Sequence, residues 1–181
     1  MISVNCENLC LSFGADTILE NIAFALNEGD KLGIIGVNGA GKSSLFAMIT
    51  GKYQPTSGEI FVAKGKSIGI LEQNIEYEAS CSILEEVYNT FSDLLSLEKE
   101  LEVLRERAEK SGGEEDAKRF SDCQEKFTSE GGYEFRGRSK GILKKLSLPE
   151  ELWDKPVSSL SGGQKTRLSL ACLLLRDPDI I

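Results

Sequence analysis

The chain has 181 residues, 40% hydrophobic and 28% charged, enough apolar matter to bury a core and too much for wholesale disorder. Its 29 acidic residues against 21 basic give a formal net charge of -8, which argues against a surface that grips nucleic acid all over. It has no histidine, so Ser-His-Asp, Cys-His and histidine–metal chemistry are excluded within it.

The first seventy residues read as short strands punctuated by glycine. Ile2–Phe13 and Thr17–Leu26 predict two strands joined by the turn Gly14-Ala15-Asp16, and Glu28-Gly29-Asp30 is a second turn. The apolar run Leu32–Val37 follows, predicting a strand buried on both faces. Lys42–Ile49 has helical spacing, with Leu45, Met48 and Ile49 on one side. Pro55-Thr-Ser-Gly58 turns the chain into a strand over Glu59–Ala63, and Ser67–Leu71 predicts one more.

Beyond Gln73 the texture turns helical. Ile83–Ala108 contains neither Gly nor Pro, and from Leu94 onward Leu97, Leu101, Leu104 and Ala108 recur at 3-4-3-4 spacing. Ser111-Gly-Gly113 stops that helix, and Ala117, Phe120, Cys123 and Phe127 mark a second one, ended by Gly131-Gly132. Together they predict an antiparallel hairpin. Arg136–Leu146 is a smaller helical unit, Pro149 and Pro156 mark an irregular stretch, and Gly163–Leu175 is a strongly apolar helix. Ile180-Ile181 looks like the first step of a strand. The five cysteines are odd in number and form no Cys-x-x-Cys pair, so neither a disulfide framework nor a zinc site is predicted. No apolar run approaches the ~18 residues of a membrane span, and the start Met1–Asn8 lacks the flank and core of a signal peptide.

Gly36-Val-Asn38-Gly39-Ala40-Gly41-Lys42-Ser43 matches G-x-x-x-x-G-K-[ST] between a predicted strand and helix. Such a loop must wrap a phosphate so closely that side chains at Gly39 and Gly41 would collide with it. The helix start supplies unpaired N–H groups and a positive dipole end. Lys42 would place its charge against the outer phosphates, and the Ser43 hydroxyl would ligate magnesium. Downstream, Leu160-Ser161-Gly162-Gly163-Gln164 is a loop of small residues opening a helix, a second start suited to an anion.

With both motifs in place the chain resembles the ATP-binding cassette (ABC) superfamily over nearly its whole length. The resemblance implies an α/β P-loop NTPase core with a mainly parallel sheet, an antiparallel β region at the N-terminus and a helical-hairpin insertion. Residues 1–80 and 147–181 would form the ATP-binding core, and 81–146 the helical subdomain. It implies ATP and Mg²⁺ as cofactors, held by Gly36, Asn38, Gly39, Ala40, Gly41, Lys42, Ser43 and Ser44. Phe13, in Leu11-Ser-Phe13-Gly, would stack on adenine. Gln73, in Ile70-Leu-Glu-Gln73, would reach the magnesium beside Ser43 and the attacking water, and with Lys42 would be catalytic. Ser161, Gly162, Gly163 and Gln164 would contact nucleotide held by a second cassette.

The long segment between Gln73 and Ser161, with Gly131-Gly-Tyr-Glu134, Gly141-Ile-Leu-Lys-Lys-Leu146 and Ser159-Leu-Ser-Gly-Gly-Gln-Lys-Thr-Arg167, is similar to the ABC-F subfamily. That branch is soluble and cytoplasmic, and acts on ribosomes during translation. The alternative is the ATP-binding subunit of a membrane transporter, with a permease as partner and no membrane insertion of its own. From Glu85 to Lys126 there are 13 acidic and 7 basic residues, so the hairpin would not hold RNA by bulk charge. The better basic surface is Arg136, Arg138, Lys140, Lys144 and Lys145. By resemblance, the strand with the magnesium-binding aspartate and catalytic glutamate would follow Ile181. The 181 residues alone are therefore expected to show little or no turnover.

Overall fold

Apolar residues one position in two make β1 (Ile2–Phe13), the central strand of an antiparallel sheet ordered β2-β1-β3. It turns at Gly14, φ 62°, into β2 (Asp16–Asn27), and on its other edge pairs with β3 (Ser57–Val62). Val4 and Cys6 face the core, and so do Leu9 and Leu11, a slip of one in the alternation. A bulge between Cys6 and Leu9, with Asn8 at φ 48°, absorbs the extra residue and returns the apolar side chains to one face. Helix α1 (Lys42–Ile49) lays Leu45 and Met48 on that face, where Leu19 completes the cluster.

In this computed structural model the described residues are 1–71 and 81–181, in two units: Met1–Ile70 with Pro178–Ile181, and Leu71–Asp177. The mainly parallel sheet expected from the sequence is represented in the first unit by one parallel bridge, Ile68 to Ile180. Leu32–Val37 is not a strand: Ile34 packs against the core cluster, while Ile35 is 96% exposed. A run becomes a buried parallel strand only when strands pair with both its edges and helices cover its faces. Among the described residues none pairs with it. Ser67–Leu71 likewise pairs only at Ile68.

The second unit is helical. Helix α2 (Ile83–Asn89) starts on a capping box, Ser82 with Glu85, and helix α3 (Ser92–Ser111) follows after a break at Thr90-Phe91. The unbroken apolar pattern gives no sign of that break. Its cause is tertiary: Phe91 leaves helical geometry (φ -110°, ψ 41°) and packs its ring 5.3 Å from that of Phe135. Gly112 (φ 60°) and Gly113 turn α3 into α4 (Glu114–Ser129), giving the expected hairpin around Leu94, Leu97, Cys123 and Phe127. Gly132 follows with no room for a side chain, because a Cβ would lie 2.4 Å from the Phe127 ring. Helix α5 (Phe135–Lys145) and α6 (Gly162–Leu175) pack with α2 around Leu143, Leu148, Trp153, Val157 and Leu168. Among the described residues all five cysteines are free thiols, and no helix is long and apolar enough to cross a membrane.

Asp179 closes the first unit. Its carboxylate accepts from the Ser67 N–H at 2.9 Å, the Ser67 hydroxyl at 3.0 Å and the Lys66 ammonium at 2.9 Å. The Ser67 N–H, then Lys66, hold its carboxyl at about 2, below the ordinary 3.8. A depressed carboxylate stabilises the fold above its unfolded value and loses that contribution as pH falls through the folded one. An NMR titration should therefore place the Asp179 midpoint near pH 2, with faster Ser67 amide exchange below it. A midpoint at the ordinary value would contradict the tie.

Candidate functional site

The first cluster is built on α1 and the loop before it. Gly39 and Gly41 have φ of 86° and 84°, left-handed backbone that other residues adopt only with strain. At Gly41 the constraint is also spatial: a Cβ would lie 2.8 Å from Leu19 Cδ2 and 3.1 Å from Ile18 Cγ2. The sequence attributes this glycine to the phosphate, and the structure adds the β2 side chains as a second cause. Gly39 has open space where a Cβ would be, so its backbone geometry is what demands glycine there. Gly36 is close to Ala40, 3.4 Å from Cβ to Cβ were one added.

The Lys42 ammonium donates to the Gly36 and Val37 carbonyls, both at 2.8 Å, so the lysine lies across its own loop. The Ala40 N–H closes a turn on Val37 O at 3.2 Å, and the first helical bond runs from Leu45 N–H to Gly41 O at 2.9 Å. The N–H groups ahead of Leu45 in α1 have no intrahelical acceptor, the start has no side-chain cap, and its first turn holds no acid. Asn38 and Ser43 are exposed and Ser44 half-buried beside them. Converging N–H groups, a lysine tethered within reach and a hydroxyl at the helix start form a donor set that fits a polyphosphate. Ser43 supplies one hard oxygen suited to magnesium, the phosphates having to supply more. Among the described residues no group of three or more acidic or thiol side chains could hold a metal by itself. Gln73 lies outside the described residues.

Phe13, at the end of β1, is 53% exposed and meets Tyr53 edge-on, centroids 5.6 Å apart and planes at 82°. The Thr56 hydroxyl accepts from the Ser12 N–H at 2.9 Å and so ties the turn after α1 to that strand end. Sequence reasoning missed Tyr53. Its signal was an aromatic between Gly51 and Pro55, in a turn where a polar residue is usual.

The second cluster belongs to the other unit. Ser161 caps α6: its hydroxyl accepts from Gln164 N–H at 3.4 Å, and Gln164 Oε1 accepts from Ser161 N–H at 2.9 Å. The side chains expected to face a partner's nucleotide thus already satisfy part of their own helix start. Gly162 and Gly163 are exposed and nothing stands within 4 Å of an added Cβ, leaving their backbone open to a close-approaching group.

The proposed basic surface is smaller than its sequence. Arg136 forms a two-pronged pair with Glu98 at 2.6 and 2.7 Å and stacks over Phe135 at 4.5 Å. Arg136 hydrogen bonding holds the Glu98 carboxyl below the usual range. Lys144 pairs with Glu150 and lies over the Trp153 ring. Arg138, Lys140 and Lys145 remain as exposed cations on α5.

A family model described as ABC transporter matches residues 19–181. The ATP-binding protein YdiF of Bacillus subtilis (strain 168) is 37% identical over 184 residues, covering 100% of this chain and 29% of that protein. ABC transporter F family member 5 of Arabidopsis thaliana is 29% identical, covering 98% of this chain and 27% of its own. A solved ATP-binding cassette of an ABC transporter matches with TM-score 0.66 at 21% identity, over 98% of this chain and 66% of its own, which shows a shared fold. The chain spans about a third of the length of the curated relatives it matches.

Gly41→Ala forces a left-handed residue, costing of the order of 1–2 kcal/mol, and also displaces the Leu19 side chain. Urea unfolding should show a loss of at least ~1 kcal/mol. Gly163→Ala, in open space, should change stability by under ~0.5 kcal/mol. Equal effects would remove the claim that backbone and space at Gly41 demand glycine.

Proposed function

The chain belongs to the ABC transporter family as a nucleotide-binding cassette, and on that premise we propose that it binds Mg-ATP on Gly36–Ser43 and works against a second cassette. The observation that carries the reading is the uncapped start of α1 with Lys42 folded onto the loop carbonyls. Gly36, Asn38, Gly39, Ala40, Gly41 and Ser44 line the cradle, Phe13 receives the adenine, and Ser43 with Gln73 holds the metal. Magnesium, when bound, neutralises phosphate charge. Lys42 exchanges two ammonium–carbonyl contacts for ammonium–phosphate contacts, in which both partners are charged. Ser161 keeps its hydroxyl proton, since in the cap it only accepts, and can donate it to the nucleotide of the partner cassette while Gly162 and Gly163 admit the phosphate. Gln73 orients water for hydrolysis in the complete two-cassette protein, and closure of the sandwich drives a change of shape.

The role we favour is that of an ABC-F protein in the cytoplasm, acting on the ribosome. The α3–α4 hairpin supports it, as does the similarity to a relative named as an F family member. The second reading is the ATP-binding subunit of a transporter beside a permease, supported by the solved transporter cassette.

Lys42→Ala should weaken ATP binding by roughly 10- to 150-fold, the equivalent of ~1.5–3 kcal/mol for a hydrogen bond to a charged group. Calorimetry showing unchanged affinity would sink the assignment. For the partner, the full-length protein should co-sediment with ribosomes in ATP. Replacing residues 100–121 by a short glycine linker keeps Leu94, Leu97, Cys123 and Phe127 and should weaken that association several-fold. Unchanged co-sedimentation, or none in the intact protein with a permease co-purifying instead, would favour the transporter reading.

A further inference from the structure

Phe13 and Tyr53 lie outside the buried clusters and expose adjoining rings, 53% and 44%. The two rings touch, with centroids 5.6 Å apart, and so present one joined aromatic surface to solvent. Tyr53 is firmly placed: its N–H donates to Ala47 O at 3.0 Å, and three residues on the Thr56 N–H donates to Cys10 O at 2.8 Å. The turn after α1 is thereby fastened to the end of β1. The same β1–β2 ribbon carries the phosphate loop, because Gly41 rests on Ile18 and Leu19, and Leu19 pairs with Leu11. Phe13 is two residues along from Leu11, about 7 Å at strand rise. One ribbon therefore holds both the phosphate seat and the ring pair.

We infer that Tyr53 is a positioning residue of the base subsite: its ring, perpendicular to Phe13, fixes the Phe13 rotamer with one face open for a stacked adenine. The inference rests on the adenine role proposed for Phe13. A ring has two faces and a perpendicular neighbour covers at most one, so the contact leaves a stacking surface free, as the exposure of Phe13 requires. An unsupported phenylalanine at a strand end samples several rotamers, and ordering it would be subtracted from the stacking energy. Tyr53 orders it beforehand. Its phenol lets one end stay in water while the ring edge packs. Stacking on a π-face reads the plane of a base and not its edge, so the pair favours nucleotides over bare polyphosphate without discriminating strongly among bases.

The test is calorimetry of this chain with ATP and with inorganic tripolyphosphate. Tyr53→Ala should weaken ATP by ~3- to 10-fold, the scale of an aromatic pair, and leave tripolyphosphate unchanged. Tyr53→Phe should restore ATP affinity. Equal weakening of both ligands would mean that the turn merely supports the loop, and failure of Tyr53→Phe to rescue would assign the effect to the hydroxyl; either overturns the inference. Phe13→Ala separates the two claims. If it lowers ATP relative to tripolyphosphate while Tyr53→Ala does not, only the positioning role falls. If it leaves that ratio unchanged, the adenine role falls and this inference with it. No ATP binding by the unsubstituted chain overturns both.

Discussion

The close approach of Gly41 to the β2 side chains links the phosphate loop to the core of the first unit. With no side chain at Gly41, the start of α1 rests directly on the β2 side chains, where a Cβ would be 2.8 Å from Leu19 Cδ2. Leu45 and Met48 then reach the sheet within one turn, closing the apolar cluster with Val4, Leu9 and Leu11. A helix lifted by even a methyl group would open that cluster, since cores at native density lose contacts over gaps of half an ångström. The same close approach fixes where the phosphate loop must begin and end. Loop geometry and core packing thus meet at Gly41, whose φ of 84° and closeness to Leu19 both favour glycine.

Three helix starts meet their orphan N–H groups in different ways. Ser82 with Glu85 caps α2, and Ser161 with Gln164 caps α6. Each box satisfies the N–H groups of its N-cap and N3 residues and leaves the others at that start open. Helix α1 has no such box and begins on a left-handed glycine. The N–H donors there stay open, and Lys42 satisfies the loop carbonyls instead, so the loop is held in shape by the side chain that must later turn outward. An acid at that start would compete with an incoming phosphate, and the first turn has none.

Local chemistry made much of this legible in the sequence. Lys42–Ile49 is bounded by Gly41 and Thr50 as its spacing predicts, and the hairpin breaks at Gly112 where left-handed backbone is needed. Non-local chemistry was not legible. Leu32–Val37 has strand composition, but strand formation depends on partners that composition does not encode. The Phe91 break arises from a ring 44 positions away, at Phe135. Arg136 reads as a surface cation, and only the fold reveals Glu98, 38 residues earlier, beneath it. At the site, the loop residues were readable from their motif, whereas Tyr53 became visible only once the turn after α1 was pinned to β1.

The second unit ties its signature helix to its hairpin through packed contacts. Helix α6 carries Ser161 at its start and buries Leu168, Ala171, Cys172 and Leu175 in a cluster shared with α2 and α5. Phe91 packs against both that cluster and the one inside the hairpin. The Glu98–Arg136 pair joins α3 to α5 beside it, partly exposed, so its contribution is modest in energy but bidentate and therefore directional. Displacement of α6 must either carry α3 and α4 along or pull Phe91 away from Phe135. The second course uncovers the buried Phe135 ring and gives up its contact with the half-buried Phe91, at a cost of the order of 1 kcal/mol. Ser161 at the start of α6 is thus connected to the hairpin by a continuous run of packed side chains through α2, α5 and Phe91, whatever surface the hairpin meets.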